Sequence, residues 1–151
     1  MIYISHRGNI NGRNPSLENS KDYIVNAISK GYEVEIDVWC ENGELYLGHD
    51  FPEYSVDIDF IEKYKRFLWI HAKNVEAFVY FSNTNYNYFC HTDEDYVFTS
   101  HKYIWCYPNN PIVKNSIMVL PEICEYKSID FYNALGICSD NIEFYDIRRS
   151  Q

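Results

Sequence analysis

The amino-acid sequence predicts an α/β protein built as a reduced or partly open β/α barrel. Three observations lead there. Short apolar or alternating runs take turns with helix-period stretches. Chemically active side chains recur where those runs end, the position at which α/β active sites gather. The 151 residues fall well short of the roughly 250 that a complete eight-stranded barrel uses. That length suits a single domain spanning 1–151.

The elements follow in order. Ile2-Tyr3-Ile4-Ser5 reads as a short buried strand running into His6-Arg7-Gly8, and a loop rich in Gly, Asn and Pro continues to Pro15. Over 16–30, Leu17, Ile24, Ala27 and Ile28 fall on one helical stripe, with Gly31 placed for a left-handed C-terminal cap. Residues 33–38 alternate strictly and form a second strand, and Glu41-Asn42-Gly43-Glu44 turns the chain into a strand-like run over 45–50. A short helix over 57–65, a strand over 67–73 and a helix capped by Asn74 and carrying Val75, Phe78, Val79 and Phe81 come next. Strands are then expected over 87–91, 96–107 and 117–120. A helix capped by Ser128 and ending near Gly136 precedes a final strand over 137–140. There is no internal repeat, low-complexity segment or linker.

Composition narrows the function. Twenty-two acidic against thirteen basic residues leave a net charge of −9, which opposes the phosphate neutralisation that nucleic-acid binding needs. A nucleic-acid partner is not expected. No apolar run reaches the roughly 18 residues of a membrane span, and the first residues do not form a secretory leader. No integral membrane segment is therefore expected, and a cytoplasmic protein is. Cys40, Cys90, Cys106, Cys124 and Cys138 are odd in number and widely spaced, the usage of reduced, mostly buried thiols. Twenty-seven aromatic residues, fifteen of them tyrosine, supply core volume to a short chain.

The second strand carries the strongest chemical signal. A two-residue period puts Glu33, Glu35 and Asp37 on one face and Val34, Ile36 and Val38 on the other. With the apolar face against helices, the carboxylates point into the sheet interior, where they need a cation or hydrogen bonds. Glu35 and Asp37 are thus candidate ligands of Mg²⁺ or Ca²⁺; the competing reading is an edge strand with a solvated acidic face. His6 and His49 each end a strand-like run, and Trp69, His71 and Lys73 share one face of the third strand. A buried lysine there needs an anionic partner, met by the acidic strand or by a substrate phosphate. His91 and the set His101, Tyr103, Trp105 and Tyr107 are weaker candidates, read first as packing, and Asp93, Glu94 and Asp95 as a solvated loop.

His6-Arg7-Gly8, Glu18-Asn19-Ser20, Glu35-Ile36-Asp37-Val38, Gly43-Glu44-Leu45-Tyr46 and His49-Asp50 resemble, in order and spacing, the pattern of glycerophosphodiester phosphodiesterases. Leu68 to Lys73 is similar to that family's third strand, and Gly136 to Asp140 to its last strand, which usually ends in Thr-Asp. The resemblance implies a TIM-type barrel of the phospholipase-C-like phosphodiesterase superfamily, a small phosphodiester substrate and a setting in lipid metabolism. It implies that His6 and His49 are the general acid/base pair, that Glu35 and Asp37 bind one divalent metal ion, and that Arg7 and Lys73 hold the phosphate. Glu18 and Asn19 would orient their neighbours. A phosphodiester resists attack, so positive charge on its non-bridging oxygens, a base and an acid are what the reaction requires. The family's third ligand is a glutamate where this chain has His71, which would favour Mn²⁺ or Zn²⁺; otherwise Glu122 would supply the ligand. The stretch 51–69 is too short for the insertion that full-length members use around glycerol. Two further readings are a non-catalytic phosphate- or sugar-phosphate-binding module, and a lipid phosphodiesterase of the phospholipase or sphingomyelinase D type. The latter needs an exposed apolar rim, for which Phe51, Trp69 and Trp105 are candidates.

Overall fold

The computed structural model describes residues 1–147. Its strands are β1 (Ile2–His6), β2 (Glu33–Glu41), β3 (Glu44–Leu47), β4 (Tyr54–Val56), β5 (Leu68–Ala72), β6 (Tyr88–Phe89), β7 (Tyr96–Phe98), β8 (Ile104–Cys106), β9 (Ser116–Val119) and β10 (Gly136–Ser139). The α-helices are α1 (Lys21–Ser29), α2 (Ile58–Tyr64), α3 (Val75–Ser82), α4 (Ser128–Asn133) and α5 (Ile142–Tyr145). None of the described helices is long and apolar enough to cross a membrane.

Seven strands run parallel in the order β6-β5-β2-β1-β10-β9-β8, and β7 adds antiparallel to β8. The hairpin β3-β4 grows from the C-terminal extension of β2. The sheet curls until its two ends approach. The Ser100 N–H donates to the Tyr88 carbonyl at 2.8 Å, its hydroxyl accepts from the Tyr88 N–H at 3.0 Å, and the Phe89 and Trp105 rings lie 4.8 Å apart. β6 and β7 do not pair as a ladder, so the sheet is a curled α/β half-barrel, consistent with a partly open barrel.

Alternation along each strand separates two cores. Outside, Val34, Ile36, Val38 and Ile70 pack against Ile24 and Ala27 of α1, Ile61 of α2 and Phe81 of α3. Inside, Ile4, Trp69, Phe89, Trp105, Ile117 and Val119 fill the lower part of the barrel. Each fully buried side chain contributes on the order of 1.5–3 kcal/mol, and the inner plug holds the strand ends apart at the level of the polar residues above it.

Several elements differ from expectation. The first helix begins only at Lys21, because Asn19 adopts a left-handed conformation (φ 62°) and the carboxamide and carboxylate of 18–19 turn inward; Leu17 is left 44% exposed. The run 96–107 is not one strand but the hairpin β7-β8, whose turn carries Lys102 at φ 68°. His101 sits in that turn against the Asn85 carbonyl, away from the face of Trp105 and Tyr107. At the last long helix Ser128 is already helical, and the Asp130 carboxylate accepts from the Lys127 N–H instead. β4 and α5 were not expected, and the total is ten strands among the described residues. All five cysteines are unpaired; Cys40, Cys106 and Cys138 are buried, while Cys90 is exposed.

Candidate active site

Two glycines, Gly8 after β1 and Gly48 after β3, deliver His6 and His49 to the same end of the barrel. After His6, Arg7 (φ 55°) and Gly8 (φ 93°) turn the chain sharply, and a Cβ on Gly8 would stand 2.7 Å from the Tyr23 ring. Parallel register sets His6 beside Glu35 and Asp37 beside His71. Gly48 (φ 150°) donates its N–H to the Asp37 carbonyl and accepts from the Trp39 indole at 2.7 Å, carrying His49 over Asp37. A Cβ on Gly48 would run into the Phe51 carbonyl oxygen. Gly48→Ala is therefore expected to cost about 2 kcal/mol or more and to displace His49. Denaturant unfolding checks the first effect; unchanged stability would refute it.

Glu35, Asp37 and His71 form a buried cluster able to bind a metal ion, their ligand atoms all within 4.8 Å of one another. His71 Nδ1 lies 3.0 Å from Asp37 Oδ1 and 3.8 Å from Glu35 Oε1. Ligands held about 2.1 Å from one small cation stand roughly 3.0–3.4 Å apart, so a modest closure would suffice. Glu35 Oε2 is buried without a hydrogen-bond partner, the condition a cation relieves. Burial, then the charge of Asp37, pushes the Glu35 carboxyl up to about 7. Burial acts against ionisation of Asp37 too, but contacts from His49, His71 and Arg7 outweigh it and hold this carboxyl well below the usual range. Burial lowers the His71 pKa and so favours the neutral imidazole that a metal needs. The donor set thus fits a divalent ion. Glu122 is not part of it: its carboxylate accepts from the Ser139 hydroxyl at 2.9 Å and the Asp140 N–H at 2.8 Å. Glu33 is half-buried away from the cluster, accepting from the Trp69 indole at 2.6 Å.

Both histidines at the strand ends are anchored through Nδ1. His6 Nδ1 is 2.7 Å from Asp140 Oδ1, which also accepts from the Asn9 carboxamide at 2.8 Å. Burial lowers the His6 pKa, but the Asp140 bond and the Glu35 charge outweigh it, for a net rise. Asp140 stays ionised, since its bond to His6 overcomes burial. His49 Nδ1 lies 3.3 Å from Asp37 Oδ2, and its Nε2 is 3.3 Å from the Arg7 guanidinium. Arginine only donates, so Nε2 carries the lone pair and Nδ1 the proton. Lys73 Nζ, 3.4 Å from Nδ1, is then a close cation rather than a hydrogen-bond donor.

Arg7 is held by Glu18 (3.2 Å) and Asp37 (3.0 Å), and Lys73 approaches Asp37 at 3.5 Å. Glu18 and Asn19 do orient their neighbours: Asn9 and Arg13 also donate to Glu18, and Asn19 bonds both the Asp37 carboxylate and its N–H at 2.9 Å. All seven candidates, His6, Arg7, Glu35, Asp37, His49, His71 and Lys73, therefore meet at one place. Six of them line a cavity of about 330 Å³, with Asp37 just beneath. Asp140 and Asn9 were missed as site residues; the one signal for Asp140 was its place directly after the last strand.

The opposite wall of the cavity comes from β6, β8 and β9: Phe89, His91, Trp105, Tyr107, Val119 and Leu120. His91 stacks on Tyr107 at 3.8 Å and Phe89 on His71 at 5.0 Å. Asp93, Glu94 and Asp95 form an exposed loop, as expected, within which Glu94 accepts from Thr92 and Asp93 and approaches His91 Nδ1 at 3.3 Å. Of the three rim candidates only Phe51 is exposed, at 59%; Trp69 and Trp105 are 2% exposed. Comparison with protein-family models, curated proteins and solved structures found no match to this chain.

Proposed function

We propose that this protein is a metal-dependent hydrolase of small phosphodiesters, with a reduced TIM-type barrel like that of the phospholipase-C-like phosphodiesterases. One observation carries the reading: two imidazoles, each oriented through Nδ1 by a carboxylate, turn toward one cavity that also holds a metal-ligand cluster, Arg7 and Lys73. A divalent ion held by Glu35, Asp37 and His71 would supply positive charge for the non-bridging oxygens. The imidazole among the ligands favours Mn²⁺ or Zn²⁺ over Mg²⁺ or Ca²⁺.

The chain's own residues divide the remaining work. Arg7 and Lys73 bind the phosphate from the side of β1 and β5. Hydrolysis breaks one P–O ester bond and forms one to the oxygen of water. With Arg7 engaged by the phosphate, the Nε2 lone pair of His49 takes the proton of the attacking water, and His6, with its raised pKa, gives one to the departing alcohol. Asp140, bonded to Nδ1–H, stabilises the doubly protonated His6 whose Nε2–H is the proton transferred, and holds the Nδ1–H tautomer that remains afterwards.

Protein stripped with EDTA and resupplied with Mg²⁺, Mn²⁺ or Zn²⁺ is expected to hydrolyse glycerophosphocholine or bis(p-nitrophenyl) phosphate only with an ion present. Saturable binding of ion and diester without product would turn the assignment to a non-catalytic phosphate-binding module. Binding is also a stability statement. At 100 times its dissociation constant the preferred ion adds about 2.7 kcal/mol, which for a domain of this size raises the melting temperature by roughly 5–10 °C. Thermal unfolding with and without the ion checks this; coincident curves would refute the metal site.

A further inference from the structure

We infer that the site takes a compact phosphodiester in which one alcohol carries a planar ring, the ring lying on the wall formed by His91, Tyr107 and Leu120. The inference rests on the phosphodiester reading and adds the chemistry of the group beyond the phosphorus.

The cavity is divided by chemistry. The half built by β1, β2 and β5 is ionic, and the half built by β6, β8 and β9 is apolar and aromatic. A phosphate bound on Arg7 and Lys73 therefore directs one of its two ester arms across the cavity, onto rings. Those rings are already organised. Trp105 and Phe89, 4.8 Å apart and buried, form the floor, and the stacked pair His91 and Tyr107 stands above it. Glu94 stands 3.3 Å from His91 Nδ1 on the outer side. Leu120 completes the edge at a backbone cost: it sits in the left-handed region (φ 46°, ψ 55°), uncommon for a bulky side chain, with its N–H bonded to the Cys138 carbonyl at 2.7 Å. Strain of this kind at a cavity lip places an apolar side chain where the chain direction alone would not.

Size and charge exclude the larger alternatives. About 330 Å³ is near the lower end of the roughly 300–1,000 Å³ that enclose a drug-sized ligand, too little for two acyl chains. The net charge of −9 repels a polyanion, whereas a single diester charge is met by Arg7 and Lys73. A small diester bearing one flat ring satisfies both limits.

The test compares two cyclic phosphodiesters with the same reacting group, uridine 2′,3′-cyclic phosphate and glycerol 1,2-cyclic phosphate, with phosphatidylcholine vesicles as a third arm. Binding is followed by calorimetry and turnover by product. The wild type is expected to favour the uridine compound by about 10- to 100-fold, the usual worth of stacking one base on aromatic side chains. Tyr107→Ala should collapse that ratio toward one, and Tyr107→Phe, which keeps the ring, should retain it. Loss of the preference in His91→Ala gives an independent arm if Tyr107→Ala does not fold. Equal use of the two cyclic compounds, a ratio unmoved in Tyr107→Ala and His91→Ala, or a preference for the vesicles would overturn the inference while leaving the phosphodiesterase reading intact. Ring-selective binding without product from any diester would support it and remove the hydrolytic reading instead.

Discussion

Replacing His6 by Ala is expected to lower turnover of glycerophosphocholine by about 10²–10⁴-fold, the ordinary contribution of a positioned acid or base. The two substrates of the assay should respond differently. Glycerophosphocholine loses an alkoxide that must be protonated as it departs, whereas bis(p-nitrophenyl) phosphate loses a stable phenolate that needs no proton. If His6 is the acid, its removal spares much of the second reaction. His49→Ala removes the base and should depress both. Asp140→Asn is the subtler variant. It keeps an oxygen near His6 Nδ1 but removes the charge that holds the tautomer and raises the pKa. Its effect should follow that of His6→Ala, with glycerophosphocholine suffering more and the fold intact by circular dichroism. Undiminished turnover in His6→Ala would refute the assignment. Equal losses on both substrates would refute the division of roles.

Much of this site was legible because its residues lie on strands whose period is two. Knowing that Val34, Ile36 and Val38 face helices was enough to turn Glu35 and Asp37 inward, and the same argument turned His71 and Lys73 inward one strand away. What pairwise spacing cannot show is contact between distant segments. Asp140 meets His6 across 134 positions, and only the neighbouring register of β1 and β10 brings them together. The hairpin inside 96–107 was hidden for another reason: its turn has neither glycine nor proline, and Lys102 takes the left-handed place that a glycine or asparagine normally marks. Leu17 misled in the opposite direction. It continues a helical stripe, yet Glu18 and Asn19 are drawn into bonds with Arg7, Asn9 and Asp37 that a helix there would forbid. Local propensity yielded to the needs of the site.

The two carboxylates of β2 should behave oppositely when neutralised in metal-free protein. Asp37 is fully buried, serves as the common counter-charge of Arg7 and Lys73, and lies against the imidazoles of His49 and His71, with Asn19 bonded to it as well. Asp37→Asn leaves Arg7 and Lys73 without their shared counter-charge and is expected to cost about 3–5 kcal/mol, a large share of a total of about 5–15 and roughly 6–20 °C in melting temperature. Glu35 is 2% exposed, and its nearest basic groups, His6 Nε2 and His71 Nδ1, stand no closer than 3.8 Å. With its carboxyl pushed up to about 7 in the folded protein, against about 4.3 for an unperturbed glutamate, the folded state holds a proton that the unfolded chain has released. Stability therefore falls as pH rises through that window. Glutamine cannot ionise, so Glu35→Gln should stabilise the metal-free protein at pH 8 by roughly 2–4 kcal/mol. At pH 5, where Glu35 is itself protonated, most of the gain should vanish. Melting curves in EDTA at the two pH values measure both effects, and a Glu35→Gln variant as damaged as Asp37→Asn would show that Glu35 is a structural ion-pair member. The same variant should lose the stabilisation that Mn²⁺ or Zn²⁺ gives the wild type. A carboxylate that weakens the fold without an ion and strengthens it with one is there for the ion.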